Sequence, residues 1–152
     1  MPDELFKKAL QFVLKWEGGY VNNPNDKGGA TNKGITQGTY NSWLISKGQQ
    51  RKDVKFISQS EVEEIYYKNY WLKAGCQNMS KKFAVLSFDT AVNMGVGRVR
   101  EFLQAADYKY PEKFIKAREA KYREFASYGN QKIFLQGWLN RLNALASFVE
   151  TV

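Results

Sequence analysis

The sequence predicts a mostly α protein with one irregular or β-like element near its N-terminus. Apolar residues recur at helical spacing over most of the chain, whereas glycine and asparagine cluster between residues 17 and 37. Repeats and low-complexity tracts are absent from the sequence. Because the chain has 152 residues, of which 43 % are hydrophobic, it is long enough for one domain with its own core and too short for two ordinary ones.

The first helix is expected from Asp3 to about Trp16, where apolar residues recur every three or four positions. Gly18 and Gly19 follow and should end it. The next stretch, residues 20–37, combines Asn-Asn-Pro-Asn-Asp with several glycines, which favours an irregular loop or a short hairpin.

Six further helices are expected over residues 39–47, 60–71, 81–94, 98–106, 111–125 and 132–149. Ser60, with a glutamate three residues later, predicts a capping box at the start of the second of these. The third should be buried and closed by Gly95 and Gly97. The last carries one apolar stripe, made by Phe134, Trp138, Leu142 and Leu145.

Composition restricts the available chemistry. The chain has no histidine and one cysteine, Cys76, so internal disulfides, the usual zinc sites and every histidine-based triad are excluded. Catalysis would have to use carboxylates, hydroxyls or lysine. We expect no metal and no cofactor.

The formal net charge of +8 predicts attraction to a polyanion. The basic residues are scattered along the chain, which favours a solvated surface over a nucleic-acid groove, and we expect no nucleic-acid partner. The N-terminal residues resemble neither a secretory signal nor a membrane span. We therefore expect synthesis in the cytoplasm. A target outside the membrane would require a separate carrier.

Glu17 is the leading candidate for catalysis. It continues the apolar stripe of the first helix, so its carboxyl should face the core, and it stands at the negative end of that helix. Both conditions favour the protonated carboxyl that a general acid needs. Asp26, across the glycine-rich loop, could be the second carboxylate of a glycosidase, and the hydroxyls of Thr31 and Thr36 could hold a water. Taken singly, Glu17 could instead point to solvent and Asp26 could be a turn residue.

Other polar and aromatic residues have weaker signals. Asp89 and Asn93 lie four apart on one helical face and are more readily explained as structural support, since buried polar groups pair. Arg98 and Arg141 could contact peptide carboxylates or pair with acids of the fold. Aromatic residues at helical spacing are usually core, so the candidates for sugar contact are restricted to two residues, Tyr20 and Trp138, with Asn93 as a further substrate candidate.

The stretch "EGGYVNNPNDKGGATNKGIT" resembles the signature of the glycoside hydrolase family 108 muramidases, a group of phage endolysins and secretion-associated peptidoglycan hydrolases. The matching positions are Glu17, Gly18, Gly19, Tyr20, Pro24, Asp26, Gly28, Gly29, Thr31, Gly34, Ile35 and Thr36. The resemblance continues through "SEVEEIYYKNYW", "FDTAVNMGVGR" and "FLQGWLNR". It covers nearly the whole chain.

The resemblance implies a lysozyme-like single domain over residues 1-152, with a catalytic part of about 1-75 and a helical part of about 76-152 similar to the family's peptidoglycan-associated region. It also implies that Glu17 is the catalytic acid. The spacing from Glu17 to Asp26 and Thr31 is similar to the catalytic trio of phage-type lysozymes. The Gly-Asp rich turn of many members is missing from "LQAADYKYPEK", so the helical part is expected to complete the core and one cleft wall.

The implied activity is that of an N-acetylmuramidase, a lysozyme that hydrolyses the β-1,4 bond between N-acetylmuramic acid and N-acetylglucosamine, with inversion. The partner would be bacterial peptidoglycan, reached with the help of a holin or a secretion apparatus. Nothing in the sequence predicts more than a monomer. Two alternatives stay open: a lytic transglycosylase acting on the same bond, and a non-catalytic peptidoglycan-binding or secretion-accessory protein.

Overall fold

A computed structural model describes residues 3–25 and 28–152 as a mostly α, lysozyme-like fold, as the sequence predicts. Its seven described α-helices and one short hairpin are α1 (Glu4–Glu17), β1 (Thr31–Asn32), β2 (Ile35–Thr36), α2 (Gln37–Ser46), α3 (Gln59–Tyr66), α4 (Lys81–Met94), α5 (Val96–Ala105), α6 (Pro111–Ala126) and α7 (Leu135–Val149). A π-helical segment, Tyr67–Leu72, continues α3, and short 3₁₀ turns lie at Val54–Phe56, Cys76–Asn78 and Gln131–Phe134.

The core is centred on α4, which packs against α1, α5, α6 and α7. Every residue from Phe83 to Ala91 is buried, which explains why this helix is the most apolar segment of the sequence. On the N-terminal side, Phe6 of α1 meets Phe88 of α4 and Trp71 edge to face, with ring centroids 5.5 and 5.4 Å apart. These edge-to-face contacts fix the position of α1 against α4.

The N-terminal helix forms for the expected reason and ends where its glycine requires. Asp3 caps it by accepting a hydrogen bond from the Phe6 amide at 2.9 Å. At the other end Gly18 adopts φ +79°, a conformation that costs glycine nothing and turns the chain away from the helix axis. The catalytic candidate Glu17 is therefore the last helical residue.

The hairpin is also as expected, and it is very short. Thr31 pairs with Thr36 and Asn32 with Ile35 in antiparallel register. Lys33 and Gly34 between them have φ values of +53° and +79°, and two positive values in succession are characteristic of a type I′ hairpin turn. An isolated bridge joins Thr31 to Val21 through two backbone hydrogen bonds of 2.8 Å. The chain after α1 is thus held beside the hairpin.

The capping box predicted at Ser60 is wrong by two positions. Ser58 accepts from the Glu61 amide at 3.1 Å, and the Glu61 carboxylate accepts from the Ser58 amide at 2.9 Å. Both serines are followed by a glutamate three residues later, but only Ser58 is flanked by the buried pair Ile57 and Val62 at the positions of a hydrophobic staple. Burial of that pair accounts for the start of α3 two residues earlier than predicted.

Two other expectations about helix ends need correction. Gly95, at φ +95°, closes α4 as predicted, but Gly97 lies inside the first turn of α5 because the chain re-enters helix at once. Phe134 belongs to the 3₁₀ turn before α7 and is 49 % exposed, so the buried part of the α7 stripe is formed by Leu142 and Leu145 instead.

Across residues 3–25 and 28–152, every helix is too short or too polar to cross a bilayer.

Candidate active site

The Glu17 carboxyl lies between the end of α1, the hairpin and α7, and its side chain is 21 % exposed. The apolar stripe of α1, which includes Phe6, Leu10 and Val13, is buried, and Glu17 continues that stripe to the surface of the core. Glu17 is thus half-buried with access to solvent, a position from which a carboxyl can reach a bound substrate.

The hairpin turn packs directly on Glu17 at Gly34. A β-carbon added at Gly34 would stand 2.8 Å from Oε1 of Glu17 and 3.1 Å from its Cβ, and would also collide with the Tyr66 hydroxyl. That hydroxyl donates a 2.6 Å hydrogen bond to the Lys33 carbonyl and holds the turn in place. Glycine is required here for two reasons: the left-handed backbone, and the close approach of the carboxyl.

The other oxygen of Glu17 is bound by a buried arginine from α7. Nη1 of Arg141 donates to Oε2 of Glu17 at 2.6 Å, while Nε and Nη2 donate to Oδ1 of Asp89 at 3.1 and 2.9 Å. Burial acts to lower the pKa of Arg141, but the charges of Asp89 and Glu17 outweigh it and raise that pKa above its ordinary range. Arg141 is therefore a permanent cation.

Behind Arg141 the polar contacts continue into the core. Arg118 of α6, with none of its surface exposed, donates to Oδ2 of Asp89 at 2.8 Å and to the Thr90 hydroxyl at 3.0 Å. Its Nε and Nη2 donate to the Tyr122 hydroxyl at 3.1 and 2.9 Å, and Nη2 also reaches Oδ1 of Asn93 at 3.4 Å. The expected support role of the Asp89 and Asn93 pair takes the form of shared bonds to Arg118.

Two tyrosines share the environment of Glu17. Burial, followed by the negative charge of Glu17, raises the pKa of both Tyr66 and Tyr70 above the ordinary value for a phenol. Their rings stand 5.4 Å apart, on α3 and on the π-helical segment that follows it. Both phenols therefore stay neutral: that of Tyr66 donates to the Lys33 carbonyl, and that of Tyr70 remains able to donate a hydrogen bond near Glu17.

The residues predicted to act with Glu17 are only partly described. Asp26 lies outside the described residues. Thr31 and Thr36 face each other across the hairpin, as their pairing requires. Thr36 is also the N-cap of α2, and its Oγ1 accepts from the Thr39 amide at 3.1 Å. Thr31 is partly buried, and its hydroxyl makes no hydrogen bond with the described residues, so this hydroxyl is available to a ligand.

The substrate candidates form two separate groups of contacts. Tyr20, 38 % exposed, follows α1 and has Nζ of Lys55 at 5.6 Å from its ring centroid. Asn93 and Trp138 come together around Tyr122: Asn93 accepts a short hydrogen bond from the Tyr122 hydroxyl, and Trp138 stacks on the Tyr122 ring at 5.3 Å. Of the two aromatic candidates, Tyr20 has a more exposed side chain than Trp138.

Arg118, which completes the site, was not singled out by the sequence analysis. The available signal was spacing, because Phe114, Arg118 and Tyr122 occur every four residues and all three are buried on one face of α6. An arginine within such a stripe requires acidic or hydroxyl partners in the core. Arg141 was considered for pairing with acids and does so, whereas Arg98 pairs at the surface with Glu101 at 3.3 Å.

A lysozyme-like helical fold with one half-buried carboxyl at the junction of helix and hairpin is compatible with a glycoside hydrolase, which uses a carboxyl group as its general acid. The model of the family Glycosyl hydrolase 108 matches residues 10–95, which is more than half of the chain. The chain belongs to this family. The matched region contains Glu17 and Asp89, while Arg118 and Arg141 follow it.

Among solved structures, the chain is similar to that titled "Structure of Brucella abortus SagA". The two share 25 % sequence identity with a TM-score of 0.75, over 96 % of this chain and 94 % of the other. No curated protein sequence matches the chain. The family gives the general role, which is glycoside hydrolysis in the degradation of peptidoglycan.

Proposed function

We propose that this protein is an N-acetylmuramidase that hydrolyses the β-1,4 bond between N-acetylmuramic acid and N-acetylglucosamine, with Glu17 as the general acid. The observation that carries the proposal is the unequal environment of the two Glu17 oxygens: Oε2 accepts from Arg141 at 2.6 Å, whereas Oε1 lies over Gly34 without a hydrogen bond to the described residues. Oε1 is the oxygen that can hold and deliver a proton.

Arg141 gives this carboxyl a catalytic advantage. As the proton passes from Glu17 to the leaving glycosidic oxygen, the carboxylate becomes negative, and a guanidinium already in place stabilises that developing charge. Because Arg141 is buried and bound on its other edge, little reorganisation is needed when the charge appears. The low local dielectric strengthens the effect.

Hydrolysis with inversion also needs a base that activates water. Asp89 is excluded from this role because both of its oxygens accept from buried guanidinium groups. We therefore assign the water-positioning role to Asp26, assisted by Thr31, on the strength of the family resemblance and the available Thr31 hydroxyl. Tyr20, Thr36, Asn93 and Trp138 are proposed to contact the glycan or to shape the cleft that receives it.

The biological setting is part of the proposal. The substrate would be the bacterial cell wall, reached from the cytoplasm through a holin or a secretion apparatus, with the protein acting as a monomer. The net charge of +8 would favour approach to the anionic wall, and added salt should weaken that approach.

The test is digestion of purified peptidoglycan by the parent protein, Glu17→Gln and the control Glu64→Gln. The control also removes a carboxylate from an ion pair, since Glu64 lies 2.5 Å from Nζ of Lys47, but it lies outside the site. After borohydride reduction, mass spectrometry should find reduced N-acetylmuramic acid ends from the parent and the control. Glu17→Gln should be slower by about 10²–10⁴-fold.

Other products would redirect the assignment. Ends carrying 1,6-anhydro-N-acetylmuramic acid would identify a lytic transglycosylase, in which the sugar's own hydroxyl replaces the water. Retained binding without any released fragment would indicate a wall-binding protein. Equal activity of the parent and Glu17→Gln would refute the assignment of Glu17.

A further inference from the structure

A balanced group of four charges crosses the core beneath the candidate site. Two carboxylates, Glu17 and Asp89, meet two guanidiniums, Arg118 and Arg141, and three of the four side chains are at most 6 % exposed. Buried charge pairs of this kind can often be replaced by apolar residues without loss of stability. Their presence between α4, α6 and α7 therefore calls for an explanation other than stability.

The orientation of Arg141 is the key to this group. An isolated arginine next to a carboxylate favours the two-pronged pair, in which two N–H groups bind both carboxylate oxygens. Arg141 does not do this with Glu17. Its Nε and Nη2 edge is taken by Asp89, at 3.1 and 2.9 Å, and only Nη1 reaches Glu17.

Asp89 is in turn held from behind. Its second oxygen accepts from Arg118 at 2.8 Å, and Arg118 is fixed by three further groups: the Thr90 hydroxyl, the Tyr122 hydroxyl and the Asn93 amide oxygen. A planar guanidinium with this many partners has no freedom to rotate. Asp89 consequently keeps its orientation and presents both oxygens to Arg141, with Oδ1 at 3.1 and 2.9 Å from Nε and Nη2 and Oδ2 at 3.3 Å from Nε.

We propose that Asp89, held by Arg118, is a positioning residue that restricts Arg141 to one hydrogen bond with Glu17 and leaves Oε1 of Glu17 free to carry the catalytic proton. The inference rests on the proposed function of Glu17 as the general acid. Without Asp89, the guanidinium of Arg141 would rotate and form a bidentate pair, in which two of its N–H groups bind both carboxylate oxygens of Glu17. The carboxyl would then be bound as a carboxylate with no free oxygen for the proton.

The variant that tests this keeps the buried charge balanced. Asp89→Leu combined with Arg118→Met removes one anion and one cation of the group and preserves apolar volume, whereas either change alone would leave an unpaired buried charge. We expect kcat to fall at least tenfold and KM to change by much less, because the acid loses its orientation, whereas the proposed glycan contact Asn93 loses one 3.4 Å bond to Arg118 and keeps its bond from the Tyr122 hydroxyl. A crystal structure should show Arg141 bound to both oxygens of Glu17.

Introducing the double change into the Arg141→Gln variant distinguishes an effect that acts through Arg141 from a general effect on the fold. If Asp89 acts through Arg141, adding the double change to Arg141→Gln should alter kcat by less than twofold. A loss as large as in the parent background would overturn the proposal. So would a crystal structure of the double variant in which Arg141 still makes a single hydrogen bond to Glu17.

A milder variant covers the case in which the double change prevents folding. Tyr122→Phe removes a hydroxyl that binds Arg118 and Asn93 without altering any charge. It should lower kcat two- to fivefold in the parent and leave it unchanged with Arg141→Gln. Unchanged kcat in the parent would count against the proposal. A rearranged Arg141 in a protein that releases no glycan fragments would support the positioning and refute the proposed function.

Discussion

Replacement of Gly34 by alanine tests whether the hairpin sets the position of the Glu17 carboxyl. The new methyl group would stand 2.8 Å from Oε1, and ordinary contact begins at 3.4 Å, so the carboxyl must retreat by about 0.6 Å. The Tyr66 hydroxyl would have to move as well, which would break its 2.6 Å bond to the Lys33 carbonyl. Misplacement of a catalytic group by about 1 Å can cost about 10²-fold in rate.

The stability of this variant should also fall, for two separable reasons. Alanine at φ +79° costs roughly 1–2 kcal/mol in backbone strain, and the overlap with Glu17 and Tyr66 adds roughly 1–3 kcal/mol. Gly48→Ala is the matched control, since Gly48 has φ +70° and an added β-carbon there meets nothing within 4 Å. It should show the strain alone, about 2–8 °C in Tm for a chain of this size.

The assay is peptidoglycan turnover at saturating substrate, with thermal unfolding followed by circular dichroism. Gly34→Ala should lose between ten- and a hundredfold in kcat at a temperature where both variants are folded, while Gly48→Ala keeps the parent rate. Equal kcat values for the two variants would refute the reasoning. The hairpin would then be shown not to position Glu17.

Three further outcomes are expected. Ser58→Ala should lower the free energy of unfolding by about 1 kcal/mol in urea titrations, because it removes the observed cap of α3, whereas Ser60→Ala should leave it nearly unchanged; the reverse result would place the cap at Ser60. Burial raises the pKa of the Cys76 thiol to about 12, so a disulfide reagent at pH 8 should react with unfolded protein only, and rapid native reaction would contradict its burial. The raised pKa values of Tyr66 and Tyr70 mean that their phenols ionise first in the unfolded chain, so the free energy of unfolding should be steady below about pH 9 and fall as the pH rises above 10; a rise instead would show the opposite sign.

Local chemistry made much of the fold predictable. The α1 helix, its glycine end and the hairpin follow from periodicity and turn residues alone, because the forces that determine them act within a few residues. Ser58 and Ser60 show the limit of prediction from local sequence. Both serines are followed by a glutamate three residues later, as a capping box requires. Which of them caps α3 depends on the burial of Ile57 and Val62 in the core, and that burial cannot be derived from the neighbouring residues alone.

The candidate site was predictable only on its N-terminal side. Glu17 lies within a dense local motif, but its partner Arg141 is separated from it by 124 positions. No periodicity links residues so far apart, and the pairing depends on how α7 docks against α4. The role of Arg118 could not be predicted for a related reason. Its partners lie on α4 and on its own helix, α6, and the contact with α4 exists only once α4 and α6 pack together.

The separation of 124 residues between Glu17 and Arg141 also has a consequence for biosynthesis. At a translation rate of about 5–20 residues per second, Glu17 is made roughly 6–25 s before the arginine that binds its carboxylate. During that interval a nascent chain carries Glu17 without its cation. Any product of premature termination before α7 has the same defect. The ability to cut a cell wall would therefore arise only in chains in which α7 has been translated and has folded back onto α1.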